Sequence, residues 1–236
     1  MILPPLTTGR LQRRYKRFFA DVVLDDGREV TAHCPNTGRM TSCLQPGCRV
    51  QVSHSDNPRR KLQWTLERTD VGGGWIGVHT GRVNQVIAEA VTSGAIPTLA
   101  GYQQVTPEVA VAHDGQRARI DLVLSGAGQQ EAWVEVKNAT LLQGSEVRFP
   151  DAPTARGLKH LDVLATQLEQ GRRAVLVFAI NRPEGRCFVT ADEVDPQYGK
   201  RLRQVVALGV EVVAPQLVHQ SQSIEVSGEL PVVLGG

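Results

Sequence analysis

The sequence contains no continuous apolar run of about 18 residues, the length that a membrane-spanning helix requires. It also lacks the apolar stretch of a signal peptide near its start, where MILPPLTTGRLQRRYKRFF has early prolines and then basic residues. These absences exclude a helical membrane protein and argue against secretion. We therefore expect a cytoplasmic protein without a membrane partner.

Cysteine is scarce, with 4 residues in a chain of 236. Without a secretory signal, so few cysteines are typical of reduced thiols rather than of a disulfide framework. A zinc alternative rests on four neighbouring residues: His33, Cys34, Cys43 and Cys48. Because their spacing lacks the paired C-x2-C rhythm of structural zinc sites, we expect small buried residues of a barrel instead.

The net charge of +2 conceals a difference between the two halves of the chain. Residues 1–82 carry 13 Lys and Arg against 7 Asp and Glu, whereas residues 83–236 carry 13 against 17. A basic module beside an acidic one favours an N-terminal half that binds a polyanion. A solvated surface explains the same imbalance, so charge alone leaves both interpretations open.

The first 82 residues read as short strands separated by turn signals such as Asp26-Gly27 and Pro46-Gly47. The five predicted strands lie within RFFADVVL, REVTAHC, CRVQVSH, LQWTLERT and GWIGVHT. Five short strands at this spacing predict a small β-barrel, and an OB-like barrel is the five-stranded fold of this size. No helical stretch is evident between the third and fourth strands.

The pattern changes in residues 83–236, where helical and strand periodicities alternate. Helices are predicted in VNQVIAEAVTSG, in TARGLKHLDVLATQLEQG and near PQYGKRLRQVVALG, with Gly94 and Gly171 ending the first two. Strands are predicted in residues 118–124 and 132–138, in AVLVFAI, and near VEVVAP and IEVSG. This order predicts an α/β domain, so the chain is expected to be a two-domain α/β protein.

Three charged residues, Asp121, Glu135 and Lys137, interrupt two otherwise apolar strands. Alternation along a strand places Glu135 and Lys137 on one face, with Trp133 beside them. A hairpin centred near Gly128 would place Asp121 opposite Glu135, with Cβ atoms about 4.5–5.5 Å apart. Both carboxylates could then touch one hard cation.

Two opposed carboxylates need a positive partner, which is either Lys137 or a divalent metal. Mg²⁺ prefers oxygen ligands and retains water molecules that can serve as the nucleophile. Lys137 could stabilise the charge that builds on a phosphate in the transition state. A purely structural Asp/Glu/Lys cluster explains the same spacing, and both interpretations remain open at this point.

The Asp residue on one strand and Glu135-x-Lys137 on the next resemble the core motif of PD-(D/E)XK nucleases. Longer strings are more specific: HCPNTGRM at 33–40, RIDLVL at 119–124, VEVKNATLL at 134–142 and FPDAPTARGLKHL at 149–161. Together they are similar to the bacterial and archaeal sugar fermentation stimulation protein A family, over nearly the whole chain.

This resemblance implies an N-terminal OB-like domain over residues 1–82 and a PD-(D/E)XK nuclease-like α/β domain over residues 83–236. It also implies DNA binding and a regulatory role in sugar (maltose) metabolism. Asp121, Glu135 and Lys137 take the positions of the nuclease motif. Ile120 replaces the proline that usually precedes the Asp residue, which matters little because proline is not a ligand.

Further site residues are predicted around this motif. Glu89 on the first helix and Glu108 before the first hairpin strand are candidate metal ligands, although a solvated position explains each of them. Arg156 and His160 are i, i+4 neighbours, away from the Leu stripe of their helix, and are candidates to face a phosphate. The alternative for this pair is a polar helix face.

A basic N-terminal stretch, RLQRRYKRFF, is predicted to bind nucleic acid. Cations can bind phosphates, and an exposed ring can stack on a base. We expect Tyr15 to be free to stack, and Phe18 or Phe19 to belong to the core. The predicted contacts are Arg10, Arg13, Arg14, Tyr15, Lys16, Arg17, a turn cluster of Arg59, Arg60 and Lys61, and the loop residue Arg39.

Two functions follow from these patterns. The first is a phosphodiesterase that cleaves DNA and depends on Mg²⁺ or Mn²⁺. The second is a regulator of sugar metabolism genes that keeps the nuclease-like fold and only binds DNA. The complete acid, acid, lysine set favours the enzyme, whereas the regulatory role implied by the resemblance favours the binding protein.

Overall fold

The computed structural model describes residues 1–113 and 115–235, and the N-terminal part is a closed β-barrel. Its strands are β1 (Leu6–Tyr15), β2 (Phe19–Leu24), β3 (Glu29–His33), β4 (Arg49–His54), β5 (Trp64–Asp70) and β6 (Trp75–Gly77). They pair in the order β3-β2-β1-β4-β5-β6, and an additional parallel pairing of β3 with β5 closes the first five strands into a barrel. The expected five-stranded barrel is therefore confirmed.

One strand of the barrel differs from the sequence-based prediction. The basic stretch, which the sequence did not predict to be a strand, forms most of β1, and the predicted fifth strand is β6, which extends the sheet beyond β5. In β1, only Gly9 and Leu11 are buried, so the strand lacks the apolar alternation by which strands are recognised. Its position is fixed by backbone pairing with β2 and β4 on either side.

The barrel interior is filled by aliphatic residues such as Val22, Val50 and Leu66, each at most 1% exposed. The three N-terminal cysteines are free thiols buried in this core, as the sequence predicted. Burial raises the pKa of the Cys43 thiol to about 12, so the thiol stays protonated at neutral pH. Within the described residues, no set of three or more His, Cys, Asp or Glu side chains is arranged to hold a metal.

The described part of the remaining chain is an α/β domain with three α-helices. The helices are α1 (Thr80–Thr92), α2 (Ala155–Glu169) and α3 (Pro196–Leu208), and a short 3-10 turn spans Pro97–Leu99. The strands are β7 (Gln104–His113), β8 (Gln116–Ser125), β9 (Ala132–Ala139), β10 (Leu141–Gln143), β11 (Glu146–Phe149), β12 (Arg173–Ile180), β13 (Cys187–Thr190), β14 (Glu211–Val213), β15 (Pro215–His219), β16 (Ile224–Glu229) and β17 (Val232–Val233).

A mixed seven-stranded sheet organises this domain, in the order β16-β15-β12-β9-β8-β7 with β14 beside β12. A smaller four-stranded sheet runs in the order β10-β11-β13-β17. In the large sheet, β7, β8 and β9 are antiparallel neighbours, whereas β9 and β12 are parallel. None of the described helices is both long and apolar enough to cross a lipid bilayer.

Helices cover both faces of the large sheet. Val134 and Val136 of β9 join the apolar cluster that includes α1, whereas Trp133 joins the cluster that includes α2 and α3. Both clusters are built from alternate residues of the same strands, as expected for a sheet covered on both faces. The helices that the sequence predicted are confirmed, and Gly94 and Gly171 lie just after the first two with φ 74° each.

The barrel and the α/β domain are joined by buried polar contacts. Arg68 of β5 is 1% exposed and donates to the carbonyl oxygens of Gln220 (2.6 Å) and Ser221 (2.8 Å). The backbone N–H of Gly77 donates to the carbonyl oxygen of Asn181 at 3.0 Å. These contacts fix the barrel against one edge of the large sheet. The domain boundary between residues 82 and 83 stays a prediction.

Candidate active site

Glu135 lies on β9 and is deeply buried, with 1% of the residue exposed. Its Oε1 accepts a hydrogen bond from Nζ of Lys137 and also contacts Nδ1 of His160 on α2. Burial by itself would raise the pKa of Glu135. The hydrogen bond from His160 and the positive charge of Lys137 together outweigh burial, so the pKa lies below its usual value. Glu135 is therefore held as a carboxylate.

Asp121 lies on the neighbouring strand β8 and is bound differently. Its Oδ2 accepts the backbone N–H of Val136 at 2.8 Å, and its Oδ1 accepts Nδ2 of Asn84 on α1 at 3.0 Å. Burial and the negative charge of Glu135 raise the pKa of Asp121 above its usual value. The two carboxylates therefore repel each other, and only Glu135 is directly paired with a cation in the described structure.

The predicted register of the two strands is confirmed where β8 and β9 pair. The pairs Leu122↔Val134, Val123↔Trp133 and Leu124↔Ala132 are those of a hairpin centred on Gly128. Extended by one step, this register places Asp121 opposite Glu135. The ladder ends there, because the Asp121 side chain takes the backbone N–H of Val136 as its own partner.

His160 connects the Glu135 pair to a surface arginine. The residue is 8% exposed, so the alternative of a solvated polar helix face is wrong for this position. Nε of Arg156 donates to Nε2 of His160 at 3.3 Å, which leaves Nδ1 as the nitrogen that carries a proton toward Glu135. Nζ of Lys137 lies 3.4 Å from the same Nδ1.

The second oxygen of Glu135 has no such partner. Among the described residues, no donor reaches its buried Oε2. A buried carboxylate oxygen without a donor is costly, and burial together with the charge of Glu135 also disfavours the ionised form of the adjacent Asp121. Mg²⁺ is typically bound by one or two carboxylates together with water and substrate phosphates, so this pair of side chains fits a divalent cation.

The other predicted metal ligands do not join this pair. Glu89 forms an ion pair at 2.9 Å with the amino group of Met1, so its predicted role as a ligand beside Asp121 is wrong. It follows Asn84 by five residues, which is roughly 140° around a helix from the side chain that contacts Asp121. Glu108 is exposed on β7 and contacts Nη1 of Arg119 at 3.1 Å.

A central groove of about 320 Å³ lies beside the carboxylates and contains Lys137 and Asn84. Four segments line it together with Arg17: residues 36–38 of the barrel, 80–84 of α1, 136–140 at the end of β9, and 149–154 before α2. The barrel and the α/β domain therefore form this groove jointly. Three of the four segments belong to the strings HCPNTGRM, VEVKNATLL and FPDAPTARGLKHL.

Two of these strings touch inside the groove. Oδ2 of Asp151 accepts the backbone N–H of Met40 at 3.1 Å. A Cβ atom added to Gly38 would lie 2.6 Å from Oδ1 of Asp151, and closer still to Oδ2. A side chain at position 38 would therefore displace the Asp151 carboxylate from its contact with Met40.

Gly38→Ala is expected to destabilise the protein by about 1–3 kcal/mol, the usual cost of overpacking. Urea denaturation of the wild type, Gly38→Ala, Asp151→Ala and the double variant measures it. Because Asp151→Ala removes the atoms that clash, the double variant should lose less stability than the sum of the two single variants. Additive losses would contradict the proposed contact.

Comparison with known proteins gives a consistent result over the whole chain. Residues 13–78 match the SfsA N-terminal OB domain, and residues 81–223 match the sugar fermentation stimulation protein RE domain. A sugar fermentation stimulation protein homolog from Geobacter sulfurreducens is 47% identical over 100% of both chains. Another from Alkalilimnicola ehrlichii is 48% identical over 97% of both. The chain belongs to the sugar fermentation stimulation protein family.

A solved structure from this family is also similar. It is SfsA from Pyrococcus furiosus in complex with Ca²⁺, with a TM-score of 0.89 and 26% identity, covering 99% of this chain and 98% of that chain. The predicted family membership is therefore confirmed. The predicted fold class, an OB-like barrel followed by a nuclease-like α/β domain, is confirmed as well.

Several site residues of this family member were absent from the sequence-based prediction. Asn84 was missed because a lone amide beside the apolar face of α1 has no distinctive spacing. Asn36 and Asp151 lie inside the strings that carried the resemblance, so those strings were the available signal. Asn36 is 7% exposed, and its Oδ1 accepts the backbone N–H of Gly38 at 2.8 Å.

The predicted DNA-binding cations do not lie on one surface. Arg17 lines the central groove, whereas Arg13 lines a separate groove on the barrel and pairs with Asp21 at 2.7 Å. Arg14 donates to the carbonyl oxygens of Asn36 at 2.7 Å and Arg17 at 3.0 Å, so its guanidinium holds two loops together.

The other predicted cations are spread over the barrel. Arg10 contacts the carbonyl oxygen of Gly47 at 3.1 Å, and Arg60 donates to the hydroxyl oxygen of Thr65 at 2.6 Å. Four more are exposed: Lys16, Arg39, Arg59 and Lys61. Their binding of DNA stays a prediction.

The aromatic residues of this stretch correct two expectations. Tyr15 is not free to stack, because its ring stacks on Phe19 with centroids 5.3 Å apart and the guanidinium of Arg13 lies over it at 4.8 Å. Phe18 is 45% exposed and Phe19 is only half-buried, so neither is among the buried residues of the core. The tight turn between β1 and β2 exposes Phe18, since Lys16 and Arg17 both have positive φ there.

Proposed function

We propose that this protein binds DNA and acts on it as a phosphodiesterase that requires Mg²⁺ or Mn²⁺. One observation carries the proposal: Oε2 of Glu135 is buried without a donor, beside an Asp121 carboxyl whose pKa is raised. A divalent cation between the two carboxyl groups would supply the partner that this oxygen lacks. A site for a divalent cation leaves it open.

Asp121 and Glu135 are the residues that would hold the cation. When bound, a divalent cation supplies Lewis-acid stabilisation of phosphate charge and activates water for attack. The family relative from Pyrococcus furiosus was solved in complex with Ca²⁺, which also takes oxygen ligands. That relative supports a divalent cation in the family, and the choice of Mg²⁺ or Mn²⁺ is our proposal.

Lys137 and His160 would both hold Glu135 in place, and Lys137 would also face the phosphate. Nζ of Lys137 reaches both Glu135 and the central groove, so the same ammonium can keep Glu135 ionised and stabilise negative charge on a phosphate. His160 keeps Oε1 of Glu135 oriented through Nδ1, because its Nε2 is occupied by Arg156. These contacts leave Oε2 as the free ligand atom.

The central groove would receive the DNA backbone. It is open, and it is lined by both domains, with Arg17 and Lys137 as its cations. The hydroxyl group of Thr37 adds a neutral donor of the kind that contacts phosphates. The barrel would thus hold the strand against the catalytic cluster.

Purified protein incubated with single-stranded and duplex DNA, with Mg²⁺, Mn²⁺ or EDTA, tests this function. We expect cleavage products on a denaturing gel only with the divalent cation. Salt-sensitive DNA binding without cleavage would instead support a regulator of sugar metabolism genes. In such a protein, Lys137 and His160 would still neutralise Glu135, and no cation would be needed. Absence of DNA binding would contradict both functions.

A further inference from the structure

A second groove, here called the basic groove, lies between the β7–β8 hairpin and α2 and has a volume of about 410 Å³. Four cationic side chains line it: Arg117 and Arg119 of β8, and Arg156 and Lys159 of α2. Of these, only Arg156 was among the residues predicted to contact DNA. The sequence patterns and the family comparisons assign no role to the other three.

The charge of the basic groove is opposite to that of its domain. Residues 83–236 carry 13 Lys and Arg against 17 Asp and Glu, yet no carboxylate is among the described residues that line this groove. At its margin, Glu108 contacts Arg119 at 3.1 Å, and the two side chains are 54% and 64% exposed. An ion pair this exposed contributes little, so an anion can replace Glu108 at small cost.

The spacing of these cations suits an extended polyanion. Arg117 and Arg119 are two residues apart on β8, which is about 6.8 Å along an antiparallel strand. Each strand of DNA carries one charge per about 3.4 Å of helix axis, so the two arginines can meet different phosphates of one backbone. Arg156 and Lys159 face the same space from the helix on the other side.

The basic groove meets the central groove at the catalytic cluster. His160 lines the basic groove and Lys137 lines the central groove, and Nδ1 of His160 lies 3.4 Å from Nζ of Lys137. Arg156, also in the basic groove, donates to Nε2 of His160 at 3.3 Å. The two grooves therefore flank the contact between Lys137 and His160 from opposite sides.

We propose that the basic groove is a second DNA-backbone site, which binds the phosphates on the far side of the scissile position from Arg17. This inference rests on the proposed function, because it takes the ligand of the central groove to be DNA. The backbone crosses the catalytic cluster between the two grooves. Phosphate contacts carry no sequence information, so the basic groove adds affinity equally for every sequence.

The test is fluorescence anisotropy with two labelled DNA duplexes of unrelated sequence, in Ca²⁺ buffer at several salt concentrations, with the DNA length checked on a gel afterwards. The groove variant is Arg117→Ala/Arg119→Ala. The matched control is Arg186→Ala/Lys200→Ala, which removes the same charge at exposed positions of the same domain outside both grooves. Arg17→Ala measures how much the central groove contributes to DNA affinity.

Removing two phosphate contacts should reduce the slope of log K against log salt by about 1.8, since each contributes about 0.9. Affinity should fall to the same extent for both sequences, and the control should bind like the wild type. The inference is overturned if the groove variant keeps the wild-type slope, or if the control loses as much. If the wild type does not bind DNA, the proposed function fails and this inference fails with it. If Arg17→Ala weakens binding and the groove variant does not, only the inference fails.

Discussion

Asp121→Asn is expected to abolish Mn²⁺ binding and to lower metal-dependent DNA cleavage by at least about 10³-fold. Removing a single preorganised charge-stabilising group from an active site already costs about 10²–10³, and here a ligand charge of the cation is lost. Isothermal titration with Mn²⁺ measures binding, and a gel assay on duplex DNA measures cleavage. Wild-type Mn²⁺ affinity in this variant would remove Asp121 from the metal site.

The stability of the same variant distinguishes lost chemistry from lost folding. The folded-state pKa of Asp121 is raised by burial and by Glu135, so its contribution to stability is present below its unfolded pKa of 3.8 and is lost as pH rises through the folded value. Ionisation of Asp121 therefore opposes folding. Asp121→Asn should leave the melting temperature equal to or higher than that of the wild type.

Glu135→Gln is the matched comparison because its expected effect on the melting temperature has the opposite sign. The folded-state pKa of Glu135 is lowered. Its contribution to stability is therefore present above the unfolded pKa of 4.5 and is lost as pH falls through the folded value. At pH 7 this substitution should lower the melting temperature, although it removes the same charge and also weakens metal binding. Equal shifts for both variants would contradict the assigned pairing of Glu135 with Lys137 and His160.

Lys137→Ala is expected to retain Mn²⁺ binding but to reduce cleavage by about 10²–10³-fold, because it removes the charge that faces the phosphate. It should also destabilise the protein, since Glu135 is 1% exposed and loses one of its two partners. Lys137→Arg keeps the charge and should recover part of both losses.

Lys200→Ala is the control for Lys137→Ala, since Lys200 is an exposed lysine outside both grooves. It should match the wild type in Mn²⁺ binding, cleavage and melting temperature. If Lys137→Ala destabilised the protein while no variant of the cluster changed Mn²⁺ binding, the cluster would be structural. Full cleavage by a stable Lys137→Ala variant would remove Lys137 from the reaction.

The sequence by itself determined the main helices, the buried strand β12 and the register of the β8–β9 hairpin. Apolar periodicity located α1 and α2 and the buried strand β12, because one-sided burial imposes those periods on the sequence. Alternation on β9 and the position of Gly128 predicted the observed register, since a slip of one residue would move every side chain to the other face. β1 escaped detection because its position depends on backbone pairing, and because its burial does not alternate along the strand.

Only the tertiary structure decided which residues surround the carboxylates. Glu89 was the candidate ligand on α1, but the rotation of the helix presents Asn84 to Asp121 and carries Glu89 to the amino group of Met1. His160 appeared to lie on a polar face, but the packing of α2 against β9 buries it on Glu135. The contact of Gly38 with Asp151 joins segments more than a hundred residues apart. Such contacts depend on how whole elements pack, and the local spacing of residues carries no record of that packing.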